Sequence, residues 1–214
     1  MAVLLAVAWL WAYPADARTI RARVDAVFDG DTIALANGER IRLRGIDAPE
    51  VRHGSQPGQF YGQESKKLLT TLVLGKDVFT ESEELSTDRY GRKVGVVRLG
   101  NGRIINLIMV EEGAAFVYPH SSDKDKGLAE QLLYAQRTAM SRSKGFWGRV
   151  LSSPEAGKAY VGNRNSKRFH RLTCAMGQKM KKTHRIHFSS LKEAFNAGFS
   201  PARECTPWPG DRYR

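Results

Sequence analysis

Apolar and polar residues alternate from Ile20 to Phe28, which predicts a strand. The pattern breaks at Asp29-Gly30-Asp31 and resumes as a second strand, Thr32 to Leu35. Asn37-Gly38 is a type I′ hairpin signal leading into a third strand, Arg40 to Ile46. After a loop over Val51–Phe60, rich in Gly, Pro and Gln, helical spacing (Leu68, Leu69, Leu72) predicts a helix over Gln63–Leu74 that stops at Gly75. Strands follow at Asp77–Glu81 and Val94–Leu99, the second closing on Gly100-Asn101-Gly102. A short helix is expected from near Asn106 to just before Gly113. A longer amphipathic one is expected over Leu128–Met140, with apolar residues at Leu128, Leu132, Ala135 and Ala139. Residues 151–157, small and interrupted by Pro154, read as a linker between a first unit, 18–150, and a second, 158–214.

Charge separates the two units. From Met1 to Gly157 there are 21 Lys/Arg and 19 Asp/Glu, a net of +2; from Lys158 to Arg214 there are 13 and 3, a net of +10, which together give the formal +12. The second unit carries the basic field and is expected to attract polyanions in a salt-dependent way. With 42% hydrophobic residues the chain has enough apolar surface for a packed core, which excludes a disordered polyelectrolyte. Met1–Ala12 is apolar and Ala15-Asp16-Ala17 is a small-residue cleavage site, so residues 1–17 read as a secretory signal peptide too short to span a bilayer. No Lys or Arg precedes the apolar run. A buried N-terminal element is the competing reading, but Trp9, Trp11 and Tyr13 beside Pro14 suit it poorly. A secreted or periplasmic protein is expected.

Three stretches carry chemistry: Asp29-Gly-Asp31-Thr32, Arg42-x4-Asp47-Ala-Pro-Glu50 and Asp88-Arg-Tyr-Gly-Arg92. Carboxylates suit a hard divalent cation, and guanidinium groups suit the non-bridging oxygens of a phosphodiester. Asp-Gly-Asp alone is a common turn, and a glutamate after Pro49 alone would read as a surface residue. All three motifs in this order resemble the staphylococcal (thermonuclease) nuclease family, over about Arg21 to Trp147. The resemblance implies an α+β fold, a five-stranded OB-type Greek-key barrel capped by helices. Element order without it leaves other α+β folds open.

The resemblance also implies roles. Asp31 and Asp47, with the backbone carbonyl of Ala48, would bind Ca2+, and Asp29 would act one step back through a water. Ala48 stands where many relatives carry Thr, so a carbonyl ligand survives and a hydroxyl contact does not. Glu50 would position or deprotonate the attacking water; at an ordinary pKa it is a weak base, so orienting the water matters more. Alternation places Arg40, Arg42 and Arg44 on one face, and the resemblance selects Arg42. With Arg92, turned inward at Gly91, it would clamp the transition state, each contact being worth roughly 3–4 kcal/mol by analogy with oxyanion donors. Arg89 and Tyr90 match positions that hold a neighbouring phosphate. Tyr118 matches one of two stacking tyrosines, and Phe116 replaces the other, with core packing as the equal alternative reading. His120, His184 and His187 have no spacing that points to catalysis.

The implied function is a secreted, monomeric, Ca2+-dependent nuclease acting on DNA, RNA or both. Sequence specificity is low, because phosphates and base faces do not report sequence. The implied products carry 3′-phosphates. The alternatives are a non-catalytic OB module that binds single strands, which would not need the full set Asp31, Asp47, Glu50, Arg42 and Arg92, and a Ca2+-stabilised surface protein, which would not need the arginines.

The second unit, with Phe169-His170-x3-Cys174, Phe188 to Pro201 and Cys205, resembles the small zinc-binding domain of the bacterial alkyl-phosphotriester DNA-repair protein. That domain presents four ligands. Here His170, Cys174 and Cys205 remain, and Ala202 takes the fourth place; a closed structural zinc site would need His184 or His187 to complete it. The resemblance therefore implies either a degenerate zinc site or, in an exported protein, a Cys174–Cys205 disulfide worth roughly 3–4 kcal/mol.

Overall fold

The computed structural model describes residues 19–55, 57–119, 125–202, 205 and 207–209. The expected signal peptide and His120 lie outside the described residues. The first unit contains β1 (Thr19–Val27), β2 (Thr32–Leu35), β3 (Arg40–Leu43), β4 (Ile46–Asp47), α1 (Gly62–Val73), β5 (Asp77–Glu81), β6 (Ser86–Thr87), β7 (Lys93–Gly95) and β8 (Arg98–Leu99). It continues through α2 (Ile105–Glu111), β9 (Phe116–Val117), α3 (Lys126–Ser141) and α4 (Trp147–Leu151). The second unit has β10 (Tyr160–Asn163), β11 (Arg168–Arg171), α5 (Ala175–Gln178), β12 (Arg185–Phe188), α6 (Leu191–Asn196) and β13 (Ser200–Pro201).

The architecture is mixed α+β. The ladder of the first unit runs β6-β7-β3-β2-β1-β5-β8, seven strands rather than five, and no hydrogen-bonded closure joins β8 to β6 among the described residues. The higher count arises because two expected strands are broken. The run Arg40–Ile46 divides at Gly45, whose φ of +77° is open to glycine at little cost, and β4 leaves the sheet to pair with β9. The run Val94–Leu99 divides between β7 and β8. There the buried Asn106 side chain accepts from Val97 N–H at 3.0 Å and donates to the carbonyl of Arg44 at 2.9 Å. The first break is set locally by a glycine turn, and the second is tertiary, with buried hydrogen bonds of Asn106 overriding local propensity.

Ile33, Leu35, Ile41 and Leu43 point inward from β2 and β3, and α1 and α2 cover them with Leu69, Val73, Ile105 and Met109. A second cluster is aromatic and crosses the two units. Phe116, Phe146 and Trp147 of the first pack with Tyr160, Phe169, Phe195 and Trp208 of the second. Gln136 of α3 is fully buried and bonds both sides, accepting from Val117 N–H at 2.7 Å and donating to the Phe195 carbonyl at 2.8 Å. The linker segment is tied down as well: Leu191 N–H donates to the Ala156 carbonyl at 2.9 Å, and the Tyr160 hydroxyl to the Glu155 carbonyl at 2.8 Å. The second unit is a four-stranded sheet, β12-β10-β11-β13, with α6 packed on it. Within it Cys174 and Cys205 form a disulfide with Cα atoms 6.0 Å apart, and His170 Nδ1 lies 3.5 Å from Cys174 Sγ. His170, Cys174 and Cys205 thus converge, with both sulfurs engaged in the bond.

Removing residues 158–214 would uncover Phe116, Phe146 and Trp147, each worth about 1.5–3 kcal/mol when buried. Their sum approaches the whole stability of an ordinary domain. The truncated first unit is expected to lose its cooperative thermal transition or melt well below the full chain by near-UV circular dichroism. An unchanged melting temperature would show that the aromatic cluster contributes nothing to the first unit.

Candidate active site

The acidic centre is assembled by three turns. Asp29 Oδ1 accepts from the backbone N–H of Asp31 at 3.0 Å, which closes the turn between β1 and β2. Gly30 allows that turn to lie against the next loop: a Cβ there would stand 2.6 Å from Ala48 Cβ and 2.6 Å from Ser65 Cβ. Asp31, only 2% exposed, accepts the Ala48 backbone N–H on Oδ2 at 2.9 Å and the Thr32 hydroxyl on Oδ1 at 2.8 Å. Arg42 reaches in from β3. One arm of its guanidinium donates to Asp31 Oδ1, and the other to Asp47 Oδ1 at 2.5 Å and to the Ile46 carbonyl at 3.3 Å. Residues distant in sequence thus meet on one planar cation, a bridging that a lysine ammonium reproduces poorly.

Electrostatics at this centre are unbalanced toward acid. Burial works against the charge of Arg42, but Asp31, Asp47 and Asp29 outweigh it and hold the guanidinium above its ordinary range. Burial, with the charge of Asp31 added, pushes the Asp29 carboxyl up to about 7, against the backbone hydrogen bond from Asp31 and the pull of Arg42. Three carboxylates face one guanidinium, and the one least able to stay ionised is held close to the others. Oxygen donors with surplus negative charge are the donor set of a hard divalent cation, so Asp31 and Asp47 with the Ala48 backbone fit such an ion.

Glu50 stands beside this centre and its backbone is fixed twice by one residue. Glu50 N–H donates to Gln59 Oε1 at 2.9 Å, and Gln59 N–H donates to the Glu50 carbonyl at 2.8 Å. Gly62, at the start of α1, is packed under it; a Cβ there would lie 2.8 Å from the Glu50 carbonyl carbon and 3.2 Å from the Pro49 oxygen. Asp47, Ala48, Glu50, Gln59, Phe116, Pro201 and Trp208 enclose a space of about 20 Å³. That is room for about one water, with three of the lining side chains polar. A larger cleft of about 400 Å³ between α2 and α3 contains none of the candidate site residues.

The third motif forms a separate arm. Arg92 donates to Asp88 Oδ2 from Nε at 2.8 Å, and its Nη2 lies 2.8 Å from the same oxygen. Burial raises Asp88, but the side-chain and backbone bonds of Arg92 and the Tyr90 N–H outweigh it, so the carboxyl is held below its usual range. Because Arg42 pairs with Val94 in the parallel β3–β7 ladder, Arg92 stands two residues along the strand next to Arg42. Tyr90 is 66% exposed; Arg89 Nη2 donates to its hydroxyl at 2.7 Å, and the guanidinium carbon of Arg92 lies 5.4 Å from its ring centre. Tyr118 is half-buried with Arg42 5.9 Å from its ring centre. Phe116 is 4% exposed and wedged among Phe146, Phe195 and Trp208, so of its two readings the structure favours core packing over an open platform for a base. Gln59, Gly62, Trp208 and Arg168 were not singled out from the sequence. A Gln in a loop and a Gly before a helix carry no signal until the fold sets them against Glu50.

A profile described as "Staphylococcal nuclease homologue" matches residues 40–149 of the chain. The chain belongs to this family. It is 35% identical over 144 residues to an uncharacterized endonuclease of Escherichia coli O157:H7, covering 66% of this chain and 86% of that protein. It is 34% identical over 131 residues to the thermonuclease of Staphylococcus intermedius, covering 59% and 75%. With Protein ParB of Escherichia coli it shares 30% over 178 residues, covering 78% and 88%. The protein is a nuclease, a hydrolase of phosphodiester bonds, and nucleic acid is its substrate. The matched family segment ends before β10, so the second unit and its resemblance to a zinc-binding domain lie outside it.

Two glycines test the geometry without touching substrate. Gly62→Ala is expected to displace the Glu50 backbone, lowering the melting temperature and lowering kcat of the folded fraction by about tenfold or more. Gly30→Ala is expected to separate Asp31 from Ala48 and lower both activity and stability. Wild-type kcat in Gly62→Ala would mean that the position of the Glu50 backbone does not control the reaction.

Proposed function

We propose that the protein is an exported, Ca2+-dependent nuclease that cuts DNA, RNA or both with little sequence preference and leaves 3′-phosphate ends. The observation that carries this reading is the Arg42 guanidinium shared between Asp31 and Asp47, next to Glu50 and a space the size of one water. Asp31, Asp47 and the Ala48 carbonyl would hold Ca2+, with Asp29 behind them through a water. When bound, Ca2+ supplies charge neutralisation of the phosphate and orientation of the substrate. Export is supported by the disulfide, a bond that persists in oxidising compartments. The chain acts as a monomer in this reading.

In the reaction, Glu50 orients the water held between it and Gln59 and accepts a proton as the water oxygen bonds to phosphorus. The phosphorus–5′-oxygen bond breaks on the opposite side, and the 5′-oxygen takes a proton from solvent. Arg42 and Arg92 stabilise the charge that grows on the equatorial oxygens, and their planar forks suit two oxygens at once. For Arg42 this requires exchanging at least one carboxylate partner for phosphate. Arg89 and Tyr90, at the exposed arm, contact a neighbouring phosphate, and Tyr118 offers the accessible part of its ring to a base.

Single- and double-stranded DNA and RNA incubated with Ca2+ or with excess chelator provide the test, with end-group analysis of the products. Asp47→Ala is expected to abolish Ca2+-dependent turnover. Arg42→Lys and Arg92→Lys are each expected to lower kcat by about 10²–10³ while the chain stays folded. Full turnover in chelator would refute the metal assignment, and wild-type kcat in either Lys variant would remove that arginine from the clamp.

A further inference from the structure

The second unit reaches the cleft with charge as well as with apolar surface. The guanidinium carbon of Arg168, the first residue of β11, lies 3.3 Å from the centre of the Tyr118 ring, the same ring that faces Arg42 at 5.9 Å. Arg168 is held there by hydrogen bonds to the Ser200 hydroxyl and, at 3.5 Å, to the Lys167 carbonyl. Ser200 pairs with Arg168 in the β11–β13 ladder, and the next residue, Pro201, lines the small space that also contains Asp47 and Glu50. Two contacts, one through Tyr118 and one through Pro201, therefore place the turn end of the β10–β11 hairpin, where Arg168 pairs with Asn163, at the edge of the acidic centre.

The turn that joins β10 to β11 carries further cations. Lys167 precedes Arg168, and Arg164 is exposed near the tip. Arg164 N–H donates to the His184 carbonyl at 2.9 Å, which sets the Lys182–His184 turn, with exposed Lys181 and Lys182, beside the tip. From Lys158 to Lys192 the sequence contains ten Lys/Arg and no Asp or Glu. Nothing acidic from this segment interrupts the path from Tyr118 to the turn. The first unit, in contrast, is close to neutral.

We propose that the β10–β11 hairpin and the Lys182–His184 turn continue the substrate groove. Arg168 receives the phosphate next to the scissile one, and Lys167, Arg164 and Lys182 follow the strand outward. This rests on the nuclease reading above and assigns the second unit a part in substrate positioning. A backbone-following row of cations binds single strands regardless of sequence, and each lost phosphate contact lowers the salt slope of binding by about 0.7.

The full chain is assayed on a dinucleotide and on a long single-stranded oligonucleotide, with KM and kcat measured over a salt series. Arg168→Gln is expected to raise KM for the long substrate several-fold more than it lowers kcat, and to lower the salt slope by about 0.7, with Arg168→Lys restoring the slope. The double variant Arg164→Gln/Lys182→Gln, at exposed positions, is expected to raise KM for the long substrate and not for the dinucleotide. Arg142→Gln removes a charge from the α2–α3 cleft and serves as the control. KM and slope for the variants equal to wild type and to Arg142→Gln, alongside an active wild type, would overturn this inference alone. Equal losses on both substrates in the double variant would also overturn it. A wild type that cleaves nothing would overturn the nuclease reading itself.

Discussion

The Arg42 guanidinium is the constraint around which the centre is arranged. It is a largely buried charge, and its two arms are held by Asp31 from one turn and Asp47 from another. A buried cation in this position is stabilised by those carboxylates, and removing either one costs it a hydrogen-bonded partner. The carboxylates in turn gain from the cation: burial first, and then the charge of Asp31, push Asp29 up, and Arg42 pulls it back down. Balance is incomplete in the protein alone. The surplus is negative, which favours a cation at this centre and disfavours an anion.

The backbone is bent to satisfy this constraint. Continuous β3 would carry Asp47 along the sheet. The turn at Gly45 instead swings Ile46 and Asp47 onto β9, where Tyr118 N–H caps the Gly45 carbonyl at 2.8 Å. The same turn places Ala48 and Glu50 over Gly30 and Gly62, two positions where any side chain would collide with the loop. Asp31, Asp47 and Glu50 thus sit on short, tightly packed turns, and for a reaction at such a centre a displacement of about 1 Å is costly.

Much of this was legible in the sequence because local signals and chemistry coincide. Asp29-Gly-Asp31, Asn37-Gly38 and the spacing of Leu68, Leu69 and Leu72 locate elements close to where they occur. The motifs bring out Asp31, Arg42 and Asp47, which the fold does assemble. Other features depend on long-range contacts that leave no local trace. The break between β7 and β8 follows from buried Asn106. Phe116 aligns with a position expected to face substrate, and its burial follows from Phe195 and Trp208, far along the chain. Charge counting assigned the second unit a separable, basic character. It could not reveal that the same unit is glued to the first by aromatic rings, because composition carries no information about which surfaces meet.

The joining of the units explains why the end of the chain bears on the site. The disulfide fixes Cys205 to the segment before α5, and three residues later Trp208 is inserted between Phe116 and Phe146. Its indole N–H donates to the Phe60 carbonyl at 3.0 Å, and Phe60 N–H returns a bond to the Pro209 carbonyl at 3.1 Å. Phe60 follows Gln59, the residue that grips Glu50 from both sides. A covalent link in the second unit is therefore connected, through one short segment and two hydrogen bonds, to the loop that holds the Glu50 backbone. The second unit then serves the first in two physical ways, supplying charge along β11 and rigidity through Trp208, and both act on the same few residues around the acidic centre.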